Sequence, residues 1–157
     1  MTVELIVMGK TDIEPVDELI RLYQRRINHY VKMNVITLPQ PRATGKTTEA
    51  VQCRLEGEAL LGALGEGDCV VLLDERGGQH DSPQFAAWLQ KRFNAGPRRL
   101  VFVIGGPYGF SPQVRARADE MLSLSSMTFS HQIVRAIFCE QLYRALTILS
   151  GEPYHHK

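Results

Sequence analysis

The sequence predicts an α/β protein whose mainly parallel sheet is flanked by helices. Short apolar or β-branched runs recur along the chain, and between them apolar residues stand three or four positions apart. Strands that alternate with helices are joined by right-handed crossovers, which place a layer of helices on each face of a parallel sheet. The expected strands lie at about residues 3–8, 33–38, 69–74, 99–104 and 120–125.

The predicted helices follow from apolar periodicity and from residues that favour a helix start. The first helix is indicated by apolar or aromatic residues at helical spacing, namely Val16, Leu19, Ile20, Tyr23, Ile27 and Tyr30. We expect further helices over 48–64, where Thr47 or Thr48 can cap the first turn, and over 83–94. The last helix, at about 131–150, carries the broadest apolar stripe, so it must pack against the rest of the domain.

Length and composition indicate one globular domain over residues 1–157. With 44% hydrophobic and 22% charged residues, the chain can bury a core without a disulfide or a structural metal. The formal net charge is only +1, so any contact with RNA must be local. Cys53, Cys69 and Cys139 lack paired spacing, which argues against disulfides or zinc. Since neither a signal peptide nor a membrane-spanning run is visible, we expect a cytoplasmic protein.

The sequence lacks a complete phosphate-binding loop and a histidine motif for metal binding. The segment RATGKTT at 42–48 is partly similar to a phosphate-binding loop, but Gln40 stands where that motif needs glycine. A nucleotide hydrolase therefore ranks last among the functional classes, and a solvated loop is the preferred interpretation. The histidines lack the spacing of a metal-binding motif, so we expect no metal.

The segment VFVIGGPYG at 101–109 indicates a ligand site. A buried strand that ends in Gly105 and Gly106 lets main chain approach a ligand closely, because no Cβ intervenes. A tight turn without a ligand would carry the same residues. The position of this segment favours a ligand site over a simple turn, since ligand sites in open parallel sheets lie beyond the carboxyl ends of the strands. The segment after Leu73 should lie at the same edge.

A second unusual segment, LSLSSMTF at 122–129, alternates apolar residues with serines before the last helix. Its peptide groups from 124 to 129 could bind the polar edges of an adenine. The neighbouring Ser130 has a simpler interpretation as a helix cap.

Together with the C-terminal PYH and an opening strand that ends in MGK, the segments VFVIGGPYGF and LSLSSMTFSHQIVRAIFCEQLYRA closely resemble the ribosomal RNA large-subunit methyltransferase H family. The resemblance extends over essentially the whole chain. It implies the SPOUT superfamily α/β-knot fold with a C-terminal trefoil knot, S-adenosylmethionine as cofactor, and a homodimer. It also implies methylation of N3 of a pseudouridine in 23S, large-subunit ribosomal RNA, on the assembled ribosome.

The resemblance also implies the cofactor-binding residues, which are Leu73, Gly105, Leu124, Ser125, Ser126, Met127, Thr128 and Phe129. Family members often have lysine where Ser126 stands and proline where Ser130 stands. A side-chain role is therefore not expected at either position, although binding by the main chain would survive.

The candidate catalytic residues are Arg144, Tyr154 and His155. Methyl transfer mainly requires alignment of nucleophile and methyl group, but a nitrogen nucleophile also has to lose a proton. We expect Arg144 to stabilise the resulting anion, with Tyr154 and His155 enclosing the base and an imidazole suited to proton transfer. The alternatives are an ion pair between Arg144 and Glu140 and a frayed C-terminus.

Some roles stay open in the sequence. His131 and Arg135 could contact either RNA phosphate or a partner subunit. Because the net charge is low, dimerisation is expected to build the basic surface that one subunit lacks. The competing function is that of a non-catalytic ribosome-binding factor that retains the fold.

Overall fold

The computed structural model describes residues 1–41 and 47–156. Strands and helices alternate in the order β1 (Thr2–Met8), α1 (Glu14–Ile27), β2 (Met33–Leu38), α2 (Glu49–Ala63), β3 (Asp68–Gln79), α3 (Ser82–Asn94), β4 (Arg99–Ile104), α4 (Pro112–Arg117), β5 (Glu120–Ser123) and α5 (Ile133–Leu149). The strands form one parallel sheet in the order β2-β1-β4-β3-β5. The predicted α/β class is confirmed, and no helix among the described residues is long and apolar enough to cross a membrane.

Helices cover both faces of the sheet, because successive residues of each strand point to opposite sides. On one face, Leu5 and Phe102 pack with α1, α3 and α5 in the larger hydrophobic cluster. On the other face, Ile6 and Val103 pack with α2 and α4. The resulting three layers leave the carboxyl ends of the strands at one edge of the domain.

The structure departs from the predicted elements in three places. The short helix α4 was missed, because six residues are too few to show helical periodicity. Helix α5 begins at Ile133, and the Ser130 hydroxyl accepts a hydrogen bond from the N–H of Gln132 at 3.3 Å, just before the helix. Strand β3 continues to Gln79 instead of ending near residue 74. Most of RATGKTT, from 42 to 46, lies outside the described residues, and the trefoil knot stays a prediction.

Strand β3 can extend because its pairing with β5 shifts register between Leu73 and Gly78. At this irregularity Gly77 lies against the main chain of β5. A Cβ at Gly77 would be 2.6 Å from the Leu122 nitrogen and 2.6 Å from the Met121 carbonyl carbon. A Cβ at Gly78 would meet no atom within 4 Å. The two neighbouring glycines thus differ in the space that a side chain would have.

This difference predicts opposite outcomes for two alanine substitutions. Gly77→Ala should lower the free energy of unfolding by about 1–3 kcal/mol, because the methyl group must displace the main chain of β5. Gly78→Ala, the matched control, should change it by less than about 0.5 kcal/mol. Urea unfolding of both variants measures the effect, and equal stabilities would contradict the tight packing at Gly77.

Candidate functional site

A cavity of about 560 Å³ lies where β4 and β5 end beside the middle of β3. At this point Leu73 of β3 pairs with both Ile104 of β4 and Leu122 of β5. The walls are residues 73–76 of β3, residues 104–110 with the glycine turn and the segment 122–131 without Ser123 and Ser126, together with Val134 of α5. Parallel sheets commonly hold ligands at this edge.

The structure brings together most of the predicted cofactor-binding residues. Those that line the cavity are Leu73, Gly105, Leu124, Ser125, Met127, Thr128 and Phe129. Ser126 is exposed and does not line it. The fold thus brings together residues about 50 positions apart in sequence, from Leu73 in β3 to the segment after β5.

The glycine turn forms one wall of the cavity. The N–H of Gly109 donates to the carbonyl of Gly106 at 3.2 Å, and the φ of +78° at Gly109 favours glycine. A Cβ at Gly105 would lie 3.0 Å from the ring of Phe110. The absence of a side chain at Gly105 therefore allows Phe110 to pack beneath the turn while the main chain faces the cavity.

The opposite wall is shaped by its own polar groups. The Ser123 hydroxyl donates to the carbonyl of Ser125 at 2.8 Å, and the Ser125 hydroxyl accepts from the N–H of Met127 at 3.1 Å. The Thr128 hydroxyl donates to Glu75 at 2.9 Å and so ties this segment to the end of β3. Local serine hydrogen bonds of this kind hold a non-helical, non-strand conformation.

Sequence reasoning missed a charged rim made by Asp74, Glu75 and Arg76. Burial by itself raises the pKa of Asp74, but hydrogen bonds from the N–H and side chain of Arg76 and from Arg115 outweigh it and lower the pKa. The carboxylate of Asp74 is therefore ionised beside the cavity. Its position directly after Leu73 was the available signal, since residues that follow a parallel strand face the ligand edge.

The three catalytic candidates form a second cluster around Glu140. Arg144 donates to Glu140 Oε1 through Nε at 3.1 Å and Nη2 at 2.6 Å, and the Tyr154 hydroxyl donates to the same oxygen at 3.1 Å. The Arg144 guanidinium also lies 4.8 Å from the centre of the Tyr154 ring, and its Nη1 lies 3.1 Å from His155 Nδ1. The ion pair with Glu140 and the contact with the tail thus coexist, and the tail is not frayed.

Hydrogen-bond chemistry fixes the protonation of this cluster. A guanidinium has no acceptor, so His155 Nδ1 must accept from Arg144, and the neutral imidazole carries its hydrogen on Nε2. Burial, and then hydrogen bonds with Tyr23 and Glu140, raise the pKa of Tyr154. The Nε2–H of His155 is therefore free to donate to a ligand, whereas the only hydroxyl hydrogen of Tyr154 is already donated to Glu140. This differs from a proton-accepting role for His155, because the nitrogen that would accept already faces Arg144.

The tail cluster, made of Glu140, Arg144, Tyr154 and His155, lies far from the cavity within the same chain. Val134, in the first turn of α5, borders the cavity, whereas Arg144 lies ten residues further along the same helix. At the helical rise per residue the separation is about 15 Å. A methyl group and its acceptor react only near van der Waals contact, so a site that used both clusters of one chain would have to bridge this separation.

Arg135, which the sequence placed toward RNA or a partner subunit, is instead buried within the chain at 1% exposure. Its guanidinium donates to the carbonyls of Met8 at 2.8 Å and Gly9 at 2.9 Å, to the Thr11 hydroxyl at 2.8 Å and to the carbonyl of His131 at 3.1 Å. Arg135 thereby joins the end of β1 to the start of α5. His131 is exposed and borders the cavity.

The fold and the cavity define a parallel α/β protein with a cavity of small-molecule size at the carboxyl edge of its sheet. Among the described residues, no group of three or more His, Cys, Asp or Glu side chains could hold a metal ion. The sequence model of the family described as "Predicted SPOUT methyltransferase" matches residues 1–155. The chain belongs to this SPOUT methyltransferase family.

Several curated relatives match over the full length of both chains. The ribosomal RNA large subunit methyltransferase H of Christiangramia forsetii is 51% identical over 157 residues, with 100% of each chain covered. The protein of the same name from Parabacteroides distasonis is 50% identical, again with 100% of each chain covered. A solved structure, the SpoU methyltransferase AviRb from Streptomyces viridochromogenes in complex with AdoMet, is 15% identical with a TM-score of 0.48, covering 96% of this chain and 59% of that one.

The hydrogen bonds of the tail cluster predict that Glu140 holds the C-terminus in place. Glu140→Ala should make the last residues several-fold more sensitive to carboxypeptidase, because Arg144 and Tyr154 lose their shared acceptor. Mass spectrometry of the digested chain gives the rate of removal. Glu58→Ala, which breaks the exposed pair with Arg54, is the control and should leave the rate unchanged. Equal rates for all three proteins would show that Glu140 does not anchor the tail.

Proposed function

We propose that the protein is a cytoplasmic, homodimeric S-adenosylmethionine-dependent methyltransferase that modifies N3 of a pseudouridine in 23S ribosomal RNA of the assembled ribosome. The observation that carries the proposal is the cavity, which gathers seven of the eight predicted cofactor residues. The family match and the names of the full-length relatives support the reaction class and the ribosomal RNA substrate.

The cavity suits S-adenosylmethionine in size and chemistry. Its volume of about 560 Å³ lies within the range of small-molecule sites. The main chain of the glycine turn and of residues 124–129 offers donors and acceptors for an adenine, and Phe110 and Phe129 offer apolar surface. The ionised Asp74 complements a positively charged ligand.

S-Adenosylmethionine supplies a methyl group activated on a sulfonium. The chain supplies alignment, with the glycine turn and the segment 124–129 holding the donor in one orientation. Arg144 and the Nε2–H of His155 direct hydrogen-bond donors toward the target base, where they stabilise the anion left when its nitrogen loses a proton to solvent water. Tyr154 stays protonated and encloses the base with its ring.

The separation of about 15 Å between cavity and tail cluster supports the dimer, because a second copy can bring its tail to the cavity of the first. Exposed apolar side chains support the same conclusion. Leu19 of α1 is 44% exposed, and Ile133 and Leu149 of α5 are 46% and 36% exposed. Helices α1 and α5 pack side by side, so these side chains lie on a continuous helical layer that a second copy can cover.

The proposed reaction predicts a specific mark on ribosomes. Incubation with S-adenosylmethionine and unmethylated ribosomes should yield one methylated pseudouridine in large-subunit RNA, located by mass mapping of nuclease fragments. The donor should also raise the melting temperature, since a ligand at about a hundred times its dissociation constant stabilises the folded state by about 2.7 kcal/mol. Stabilisation without any methylated nucleotide would instead indicate a non-catalytic ribosome-binding factor, and stabilisation by ATP alone a nucleotide-binding protein.

The shared site predicts complementation between two inactive variants. The His155→Ala variant loses the hydrogen-bond donor of the C-terminal residues but retains the cavity. In the Gly105→Leu variant the new side chain displaces Phe110 and fills the cavity, while the C-terminal residues are unchanged. Each homodimer should be inactive, and a mixture that has exchanged subunits should recover about a quarter of wild-type turnover, because half of the dimers then contain one complete site.

Melting curves and donor titration provide the controls for that experiment. His155→Ala should bind S-adenosylmethionine like the wild type, and Gly105→Leu should fold but not bind it. Failure to recover turnover when mixed dimers are present would rule out a site shared between subunits.

A further inference from the structure

A buried carboxyl group without a hydrogen-bond partner lies behind the glycine turn. Glu56 of α2 is 3% exposed, and neither of its carboxylate oxygens has a hydrogen-bond partner within the described part of the chain. Buried acidic side chains are normally paired, because an isolated charge is costly away from water. A buried carboxyl group without a hydrogen-bond partner is therefore unusual.

The carboxyl group is separated from the cavity by one thickness of main chain. A Cβ at Gly106 would collide with Glu56 Oε1, so the oxygen touches the face of Gly106 where a side chain would otherwise be. Gly106 itself lines the cavity. The glycine at this position thus allows a carboxyl group to approach the ligand site closely without entering it.

None of the described cations on the elements packed around Glu56 neutralises it. On α2, Arg54 is paired with the exposed Glu58. On α4, which packs against α2, Arg115 is paired with Asp74 and Arg117 with Asp119.

The other ionisable groups near this position supply no cation either. Glu49 of α2 is an exposed acid, and Tyr108 is the ionisable residue of the glycine turn. Gln52, whose side chain lowers the pKa of Glu56, and Ser111, which lies against the neighbouring Gly57, are buried polar residues that carry no charge. Within residues 1–41 and 47–156, the charge of Glu56 is thus left to be compensated by whatever occupies the cavity.

We propose that Glu56 distinguishes the cationic methyl donor from its neutral demethylated product. Resting on the proposed function, the inference is that Glu56 is a neutral acid in the free protein and ionises when a sulfonium lies on the other side of Gly106. The proton passes to solvent on binding. When the sulfonium becomes a thioether, the positive charge is lost, Glu56 takes a proton back, and the product is held less tightly.

The physical basis is the difference in charge between two ligands that otherwise share their groups. A unit positive charge one main-chain thickness from a carboxylate favours the ionised carboxylate by an amount equivalent to roughly tenfold in affinity. Burial raises the pKa of Glu56 more than Gln52 lowers it, so the carboxyl group stays protonated to a higher pH than an exposed glutamate does. Donor affinity should therefore increase with pH until Glu56 is ionised in the free protein as well.

Calorimetric titration of the full-length protein tests this role. S-Adenosylmethionine and S-adenosylhomocysteine should be titrated from about pH 5.5 to about pH 8.5, in buffers of different ionisation enthalpy. In the wild type, the ratio of the two affinities should rise by roughly tenfold with pH, and only the donor should release a proton on binding. The sulfonium lowers the pKa of the donor's own amino group relative to that of the product, so each affinity is corrected for the separately measured titration of the free ligand before the ratio is taken.

Glu56→Gln keeps the shape of the side chain and removes its charge. In this variant the ratio should be lower at high pH and independent of pH, with S-adenosylhomocysteine binding unchanged. Glu58→Gln, on the exposed face of the same helix, is the matched control and should behave like the wild type.

The outcomes separate this inference from the proposed function. Binding of both ligands with the same pH-independent ratio in the wild type and in Glu56→Gln would overturn the role of Glu56 alone. Absence of binding of either ligand to the wild type would overturn the proposed function. If Glu56→Gln did not fold, proton release by the wild type would still decide, because a donor that binds without releasing a proton excludes ionisation of Glu56.

Discussion

The shared register of three parallel strands is the constraint on which the candidate site depends. Leu73 of β3 pairs with Ile104 of β4 and with Leu122 of β5, so the segments that follow β4 and β5 must meet beside residues 73–76 of β3. Gly105 and Gly106 then expose main chain where other residues would place a Cβ. The position of the cavity follows from the pairing of the strands, and the two glycines leave main chain accessible in one of its walls.

The helix α5 connects this cavity to the tail cluster and also keeps them apart. Its first turn borders the cavity and is held to β1 by Arg135, whose buried guanidinium satisfies carbonyls from both elements. Its last turns carry Arg144, which orients Tyr154 and His155. A rigid helix of 17 residues cannot bend these groups together, so the same geometry that organises each half favours a site completed by a second subunit.

Two carboxyl groups near the cavity, those of Asp74 and Glu56, differ in how their charge is compensated. Asp74 is stabilised as an anion at the rim by Arg76 and Arg115, whereas Glu56 is buried without a partner behind Gly106. One carboxyl group therefore has its charge compensated by the protein and the other does not. A cationic ligand suits the environment of Glu56, because it supplies the positive charge that this carboxyl group lacks.

The five strands and the four long helices could be predicted from the sequence, because hydrophobic periodicity is a local property. The main-chain walls at Gly105 and residues 124–129 could also be predicted, because the placement of glycines and serines is visible locally. The short helix α4, the burial of Arg135 and the unpartnered carboxyl group of Glu56 required the folded chain, since each depends on contacts between residues far apart in sequence. The same holds for His155, whose hydrogen-bonding role follows from its contact with Arg144 and not from its residue type. Periodicity identifies which face of an element is buried, whereas the partner that a polar group finds there is set by the tertiary packing.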